Sequence, residues 1–338
     1  MPTSFSIPTL NDVARAAGVS TATVSRCLNG ENKVSQGARD KVMKAVDALG
    51  YTPNFNARAM AAKRTYTIGA IIPTMENAIF ARGLQAFQET VHDLGYNLFV
   101  SSSAYRPELE AEQIRALVAR GVDGLLLIGY EREQSVYDFL ERRGVPTMLA
   151  WSYLPELAHA SVGFDNRASM RMLADRVISM GHKRIAVISG IIDGNDRAKG
   201  RLNGIKDSWI ANGFDLADLN VIQTPYEIEN GAAAFEKLMA VREKPSVIMC
   251  GNDVLAAGAM SRAKELGYDI PKDVSVTGFD DIELAKHLHP SLTTVHVPHR
   301  EMGGTAAREL IKLIDGSSNS VRRQLNVSIV MRNSLAQR

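Results

Sequence analysis

Two stretches of this sequence hold side chains at spacings that could do chemistry. The first is Leu10-Asn11-Asp12-Val13-Ala14-Arg15-Ala16-Ala17-Gly18-Val19-Ser20-Thr21-Ala22-Thr23-Val24-Ser25-Arg26. Ala14 is small where two short helices would cross, Gly18 permits a tight turn, and Val24 returns to a shared core. Beyond the turn, Arg26 can donate a bidentate pair to guanine, and the methyl groups of Thr21 and Ala22 can meet thymine. Spacing alone fits any helical hairpin as well. The second stretch, Asn195-Asp196-Arg197-Ala198-Lys199-Gly200-Arg201, gathers three cations within five residues. Arg197 and Lys199 could bind a carboxylate or phosphate. Equally, they could belong to a solvated loop in which Asp196 compensates Arg197.

Other chemistries find little support. His287-x-His289, followed by His296 and His299, has no acidic or cysteine partner at ligand spacing, and Pro290 suits a crossover, so no metal is expected. No nucleophile elbow, Walker loop or Cys/His zinc spacing occurs. Gly121-x-x-Gly124 and Gly303-Gly304 read as turn or helix-packing glycines. Neither a catalytic residue nor a cofactor is expected. Cys27 and Cys250 lie in unrelated contexts and read as reduced structural thiols.

The elements that would position these residues divide the chain in two. Its 338 residues exceed one ordinary domain, and 45% apolar with 22% charged residues supports a packed core. The first 64 residues hold nine Lys/Arg against four acids, whereas the whole chain carries only +2. A basic head on a mildly acidic body is an electrostatic footprint for nucleic acid. In the head, Thr9 and Asp12 form a capping box for a helix over 10–17. Gly18-Val19-Ser20 breaks it and caps a second helix, from 21 to about 29. A third, over 36–49, carries Val42, Ala45, Val46 and Leu49 on one face and stops at Gly50. Residues 54–62 look helical but are too short to be stable alone, since isolated helices below ~12–15 residues are marginal.

From Tyr66 onward apolar runs at 67–72, 97–101, 123–128, 145–150, 184–189, 246–250 and 274–278 alternate with helical-period segments at 79–94, 107–120, 166–180, 229–240 and 253–266. The pattern restarts near Ser161, which predicts two doubly wound parallel-sheet lobes with a ligand cleft at the carboxyl ends of the strands. The amino terminus lacks a basic region followed by an apolar core, and no apolar run reaches spanning length. A cytoplasmic protein without membrane association is expected.

The chain resembles the LacI/GalR family of bacterial repressors along essentially its whole length. The residues that carry the likeness are 9–26, Asn29, the Val34-Ser35 stretch to Arg39, Gly50-Tyr51-x-Pro53-Asn54, Ala57-Arg58-x-Met60 and Ile68-Gly69. Further on are Gly181-His182, Arg201-x-x-Gly204, Asn252-Asp253, Ala256, Gly258-Ala259, Gly278-Phe279-Asp280-Asp281 and Leu292-Thr293-Thr294.

The resemblance implies an α helix-turn-helix head over 1–52, a hinge helix over 53–63 and an α/β body of periplasmic-binding-protein type over 64–338. The body would comprise lobe 1 (64–161 plus 291–322) and lobe 2 (162–290 plus 323–338). It further implies a homodimer on a pseudo-palindromic double-stranded DNA operator, with the second helix in the major groove. Operator contacts then fall to Leu10, Asn11, Ser20, Thr21, Ala22, Thr23, Ser25, Arg26, Asn29 and Lys33. In the minor groove they fall to Asn54, Ala57, Arg58 and Met60. Met60 stands where the family places a wedging leucine, and its flexible side chain implies weaker kinking. The implied effector, a sugar, sugar acid or sugar phosphate, maps onto Phe80 and Trp151 from one lobe. From the other it maps onto Phe164, Asn195, Arg197, Arg201, Tyr226, Asn252 and Asp280. Arg201 and Asp280 would serve vicinal hydroxyls, or else pair in the core. With no heptad tail before Arg338, a dimer is expected rather than a tetramer.

Overall fold

The computed structural model describes residues 7–28, 34–52, 64–76, 78–318 and 320–338. It falls into two compact units, residues 1–65 and 66–338. The hinge segment lies outside the described residues, as do Asn29, Lys33, Asn54, Ala57, Arg58 and Met60.

The head is three short helices on a small core. Helix α1 (Leu10–Ala17) starts at the Thr9–Asp12 capping box. It ends at Gly18, whose φ of 66° lets its N–H reach the carbonyls of Ala14 and Arg15. Ser20 Oγ then accepts from Thr23 N (3.2 Å) to cap α2 (Thr21–Leu28), and Ser35 and Gly50 bracket α3 (Gln36–Leu49). Val13, Ala14, Ala17, Val24, Cys27, Val42, Ala45 and Tyr51 bury their side chains together, with Leu10 and Leu28 packed at the edge. Leu49, expected on the buried face, is instead 36% exposed. The chain reverses at Gly50 and Tyr51 fills that corner of the core.

The larger unit contains two parallel sheets. The first comprises β1 (Thr67–Ile72), β2 (Asn97–Ser102), β3 (Gly124–Ile128), β4 (Thr147–Ala150), β5 (Ser161–Gly163) and β11 (Arg322–Gln324), in the order β11-β5-β4-β3-β1-β2. The second comprises β6 (Ile185–Gly190), β7 (Asn220–Thr224), β8 (Val247–Cys250) and β9 (Ser275–Thr277), in the order β7-β6-β8-β9. Central strands β1, β3, β6 and β8 are buried at every residue, which is why they read as unbroken apolar runs. In each sheet the strand order reverses beside the first strand, and such a switch point opens a crevice at the carboxyl ends of the strands.

Helices α4 (Ala78–Asp93), α5 (Pro107–Ala119), α6 (Gln134–Arg143) and α12 (His299–Ile314) flank the first sheet. With the second sheet go α7 (Asn166–Ser179), α8 (Asp196–Ala211), α9 (Ile228–Met239), α10 (Asp253–Glu265) and the short α11 (Glu283–His287). Gly303 brings α12 against α4 so closely that a Cβ would strike the Gly83 carbonyl. A separate antiparallel pair, β10 (Thr294–His296) with β12 (Ser328–Val330), joins the second sheet through bridges Thr277↔Thr293 and Asp280↔His296.

The expected lobe boundaries at 161/162 and 322/323 fall inside strands. Arg322–Gln324 pairs with Ser161–Gly163 residue for residue, so 162–163 and 323–324 belong to the first sheet. The three-residue strands that settle this carry too little pattern to mark a boundary in sequence. No described helix is long and apolar enough to cross a membrane.

Gly18 has open space around it, so only its backbone conformation constrains it. Gly18→Ala should destabilise the head by about 1–2 kcal/mol, the cost of a left-handed non-glycine residue, and Gly18→Asn by less. Hydrogen exchange should show faster amides across residues 10–28 and unchanged protection in the larger unit.

Candidate functional site

In the head, α2 turns Thr21, Ala22 and Arg26 to the surface while Val24 and Cys27 stay inside. Asn11 and Ser20 are also exposed, whereas Thr23 and Ser25 are half-buried. Ser20 and Thr23 share a hydroxyl–hydroxyl bond of 2.9 Å, so capping already occupies both. Leu10 is half-buried against the head core. Arg26 makes no ion pair among the described residues and keeps its guanidinium exposed. The exposed face has a small methyl-bearing start and an arginine one turn on.

In the larger unit, side chains from seven strand ends converge on one cleft. Ile79 and Phe80 follow β1, Tyr105 follows β2, Trp151 follows β4 and Phe164 follows β5. Asn195, Arg197 and Arg201 follow β6, Tyr226 follows β7 and Asp280 follows β9. Eight of the nine residues expected there meet in this way. The exception is Asn252. It is fully buried at the N-cap of α10, where Oδ1 accepts from Leu255 N at 2.9 Å, and it does not line the cleft. Asparagine at a helix start is drawn to its own backbone.

The cleft is closed. Its cavity is only about 20 Å³, room for roughly one water. Tyr105 faces Tyr226 across it with ring centroids 6.1 Å apart. Residues 195–199 begin a helix rather than forming a solvated loop, with Asn195 Oδ1 capping Ala198 N. Asp196 and Arg197 are buried as an ion pair of 2.7 Å. They also join the lobes: Arg197 Nη1 donates to the Ile128 carbonyl (3.2 Å), and Tyr130 N donates to Asp196 Oδ2 (3.2 Å). Gly129 leaves the space for this contact, since a Cβ there would land on the Arg197 guanidinium. Lys199, half-exposed, leans toward Glu131 at 3.9 Å and is not part of the cavity wall.

Arg201 and Asp280 do not pair with each other. Arg201 donates to Asn166 Oδ1 (3.0 Å) and the Tyr226 hydroxyl (2.8 Å), and its guanidinium lies 4.8 Å above the Phe279 ring. Its Nε has no partner. Asp280 is fully buried at a φ of 103°, and its Oδ2 has no partner either. Burial pushes its carboxyl up to about 6, against the pull of Arg201 and then Arg197.

Tyr105, Ile79 and His299 escaped the sequence reading. Tyr105 carried a usable signal, since it sits just past a strand end as the other cleft residues do. His299 contacts Asp280 from the start of α12, a helix that the apolar periodicity did not reveal.

Comparison with known proteins bears on both units. Residues 9–54 match the model for bacterial regulatory proteins of the lacI family, and residues 174–335 match a periplasmic binding protein-like domain. The HTH-type transcriptional repressor PurR of Vibrio atlanticus is 32% identical over 315 residues, covering 93% of this chain and 94% of the relative. Among solved structures, the lac repressor dimer bound to operator and the anti-inducer ONPF superposes with a TM-score of 0.87 at 27% identity, covering 98% of this chain and 100% of that one. A transcriptional regulator, CelR, in complex with cellobiose gives 0.71 at 29% identity, covering 97% of this chain and 99% of that one. Such relatives regulate transcription rather than catalyse reactions. Likeness at that level across the head and the lobes alike places the chain in the lacI family of bacterial regulatory proteins.

Proposed function

We propose that the protein is a dimeric transcriptional repressor whose hold on a pseudo-palindromic operator is set by a small uncharged sugar in the cleft between its lobes. It would act in the cytoplasm, held at the nucleoid by its operators. The observation that carries the ligand class is the charge balance of the cleft. Asp196 neutralises Arg197, Lys199 leans away toward Glu131, and Arg201 is left to balance Asp280. Among the residues that line the cavity, the unsatisfied polar atoms are one donor, Arg201 Nε, and one acceptor, Asp280 Oδ2. Those suit vicinal hydroxyls, and the rings of Phe80, Trp151 and Phe164 suit the apolar edges of a pyranose. No spare cation remains for a sugar phosphate or sugar acid.

A cavity of about 20 Å³ holds no sugar, so the lobes must part to admit one and close again on it. Ligand and operator would then bias the same lobe movement, a coupling of typically 1–3 kcal/mol that acts equally in both directions. On the DNA side, the complex of the lac repressor dimer with its operator supports placing α2 in the major groove.

Selection from random duplexes with the full-length chain should return a palindrome. Arg26→Ala should weaken binding by about 1–3 kcal/mol and relax preference at one guanine in each half-site. Full operator affinity in a chain lacking residues 1–63 would sink the DNA reading.

A thermal-shift panel should separate neutral mono- and disaccharides, cellobiose included, from sugar acids and phosphates. A sugar at 100 times its Kd should add ~2.7 kcal/mol of stability, lost in Arg201→Ala. Preferential stabilisation by sugar phosphates that disappears in Arg197→Ala would overturn the uncharged reading.

Asp280 also has a consequence for stability without ligand. Its folded pKa of about 6 exceeds the ordinary 3.8, so between those values the folded state binds the extra proton and stability falls as pH rises. The cost is complete above pH 6 and absent below about 4. Asp280→Asn should therefore stabilise the ligand-free protein at pH 7.5 by up to roughly 3 kcal/mol, read as a higher Tm, and leave it unchanged near pH 4. The same variant should lose the sugar-induced shift.

A further inference from the structure

We propose that His299 is the positioning residue of the cleft. It is a neutral imidazole locked as its Nε2–H tautomer, presenting a constant hydrogen-bond donor that keeps Asp280 ionised and aimed at a ligand hydroxyl. The proposal rests on reading the cleft as the effector site.

The tautomer follows from the partner. Trp151 Nε1 lies 3.2 Å from His299 Nδ1, and an indole N–H can only donate. His299 Nδ1 must accept, so the ring proton is on Nε2. Protonating Nδ1 would set two donors face to face. Burial opposes the imidazolium as well and pushes His299 down to about 3, with His296, Arg82 and Arg201 adding to it against a contribution from the Asp280 main chain. His299 is therefore a donor whose state does not change across the physiological range.

That donor faces Asp280, both its main-chain carbonyl and its carboxylate. His299 Nε2 is buried with no hydrogen-bond partner, and Asp280 Oδ1 stands 3.8 Å away. The remaining charged and titratable groups around Asp280 are Arg197 and Arg201 from α8, Asp253 from α10, and the phenols of Tyr105 and Tyr226. None of them forms an ion pair with it.

The imidazole is held firmly. Trp151 adopts a φ of 62°, its carbonyl accepts from Asn166 Nδ2 at 3.0 Å, and its ring packs on Gly83, where a Cβ would collide with it. Trp151 and His299 belong to the first lobe and Asp280 to the second, so the 3.8 Å gap spans the cleft. At 3.8 Å the Nε2–H acts on Oδ1 as a nearby dipole in the closed, ligand-free cleft.

Two measurements on the ligand-free, full-length protein test this. Two-bond ¹H–¹⁵N spectra of ¹⁵N-histidine protein, with His299 assigned by its loss in His299→Gln, should show a neutral Nε2–H ring unchanged from pH 8 to pH 5. A ring that titrates in that range, or one protonated at Nδ1, overturns the proposal. Second, the pH midpoint at which Asp280→Asn begins to stabilise reports the proton affinity of Asp280. In a His299→Phe background that midpoint should rise by roughly one pH unit. An unmoved midpoint would make His299 mere filling and overturn its positioning role. Both readings are taken without sugar, so they stand or fall apart from the thermal-shift panel. Should no sugar bind, the ligand class fails while the tautomer and the midpoint remain measurable.

Discussion

Asp280 is the constraint around which the larger unit is organised. A carboxylate taken wholly out of water and left with a free oxygen is disfavoured by several kcal/mol unless something nearby compensates it. The fold supplies partial compensation only: Arg201 and Arg197 pull its pKa down, but burial still raises it to about 6. A backbone φ of 103° adds strain at the same residue. A hydroxyl-bearing ligand would complete what the protein withholds. The ligand-free state is therefore less stable than the sequence could have made it, and that deficit is available as binding energy.

Parallel-sheet topology explains how residues so far apart in sequence meet there. Every strand in a doubly wound sheet delivers the chain to the same edge, so the residues just past seven strands face one cleft. Most of them come from loops or helix starts rather than from strand interiors. The sheets can then stay apolar and continuous, as the fully buried β1, β3, β6 and β8 are, while polar chemistry is confined to the rim. Asn252 shows the limit of the rule. It follows β8, yet its side chain serves as the cap of α10 and its amide nitrogen is buried without a partner.

How much of this the sequence discloses depends on how local each signal is. Capping boxes and left-handed glycines act within four residues, so Thr9 and Gly18 mark both ends of α1 and Gly50 marks the end of α3. Long buried strands are equally plain. The strands Ser161–Gly163, Thr294–His296, Arg322–Gln324 and Ser328–Val330 are not, because three residues hold no period and their pairing is decided by distant chain. Partner choice is the least legible. Arg201 next to Asn166 and Tyr226, or Trp151 next to His299, are contacts across 25 to 148 residues that no spacing announces.

The same logic decides what Arg197 is for. Read in sequence it is a cation free to hold a phosphate; in the structure its charge is already spent. Asp196 neutralises it, and the pair is fastened to the first lobe through the Ile128 carbonyl and the Tyr130 amide. An anionic ligand that captured Arg197 would strand Asp196 as a second buried carboxylate without a counter-charge and would release the hydrogen bond to the Ile128 carbonyl. Breaking a buried pair costs ~3–5 kcal/mol, more than the few charge-assisted bonds a phosphate would gain. The proposed neutral sugar would avoid that exchange, because it would engage Arg201 Nε and Asp280 Oδ2 and leave the Asp196–Arg197 bridge intact. Closure and binding then reinforce each other instead of competing for one arginine.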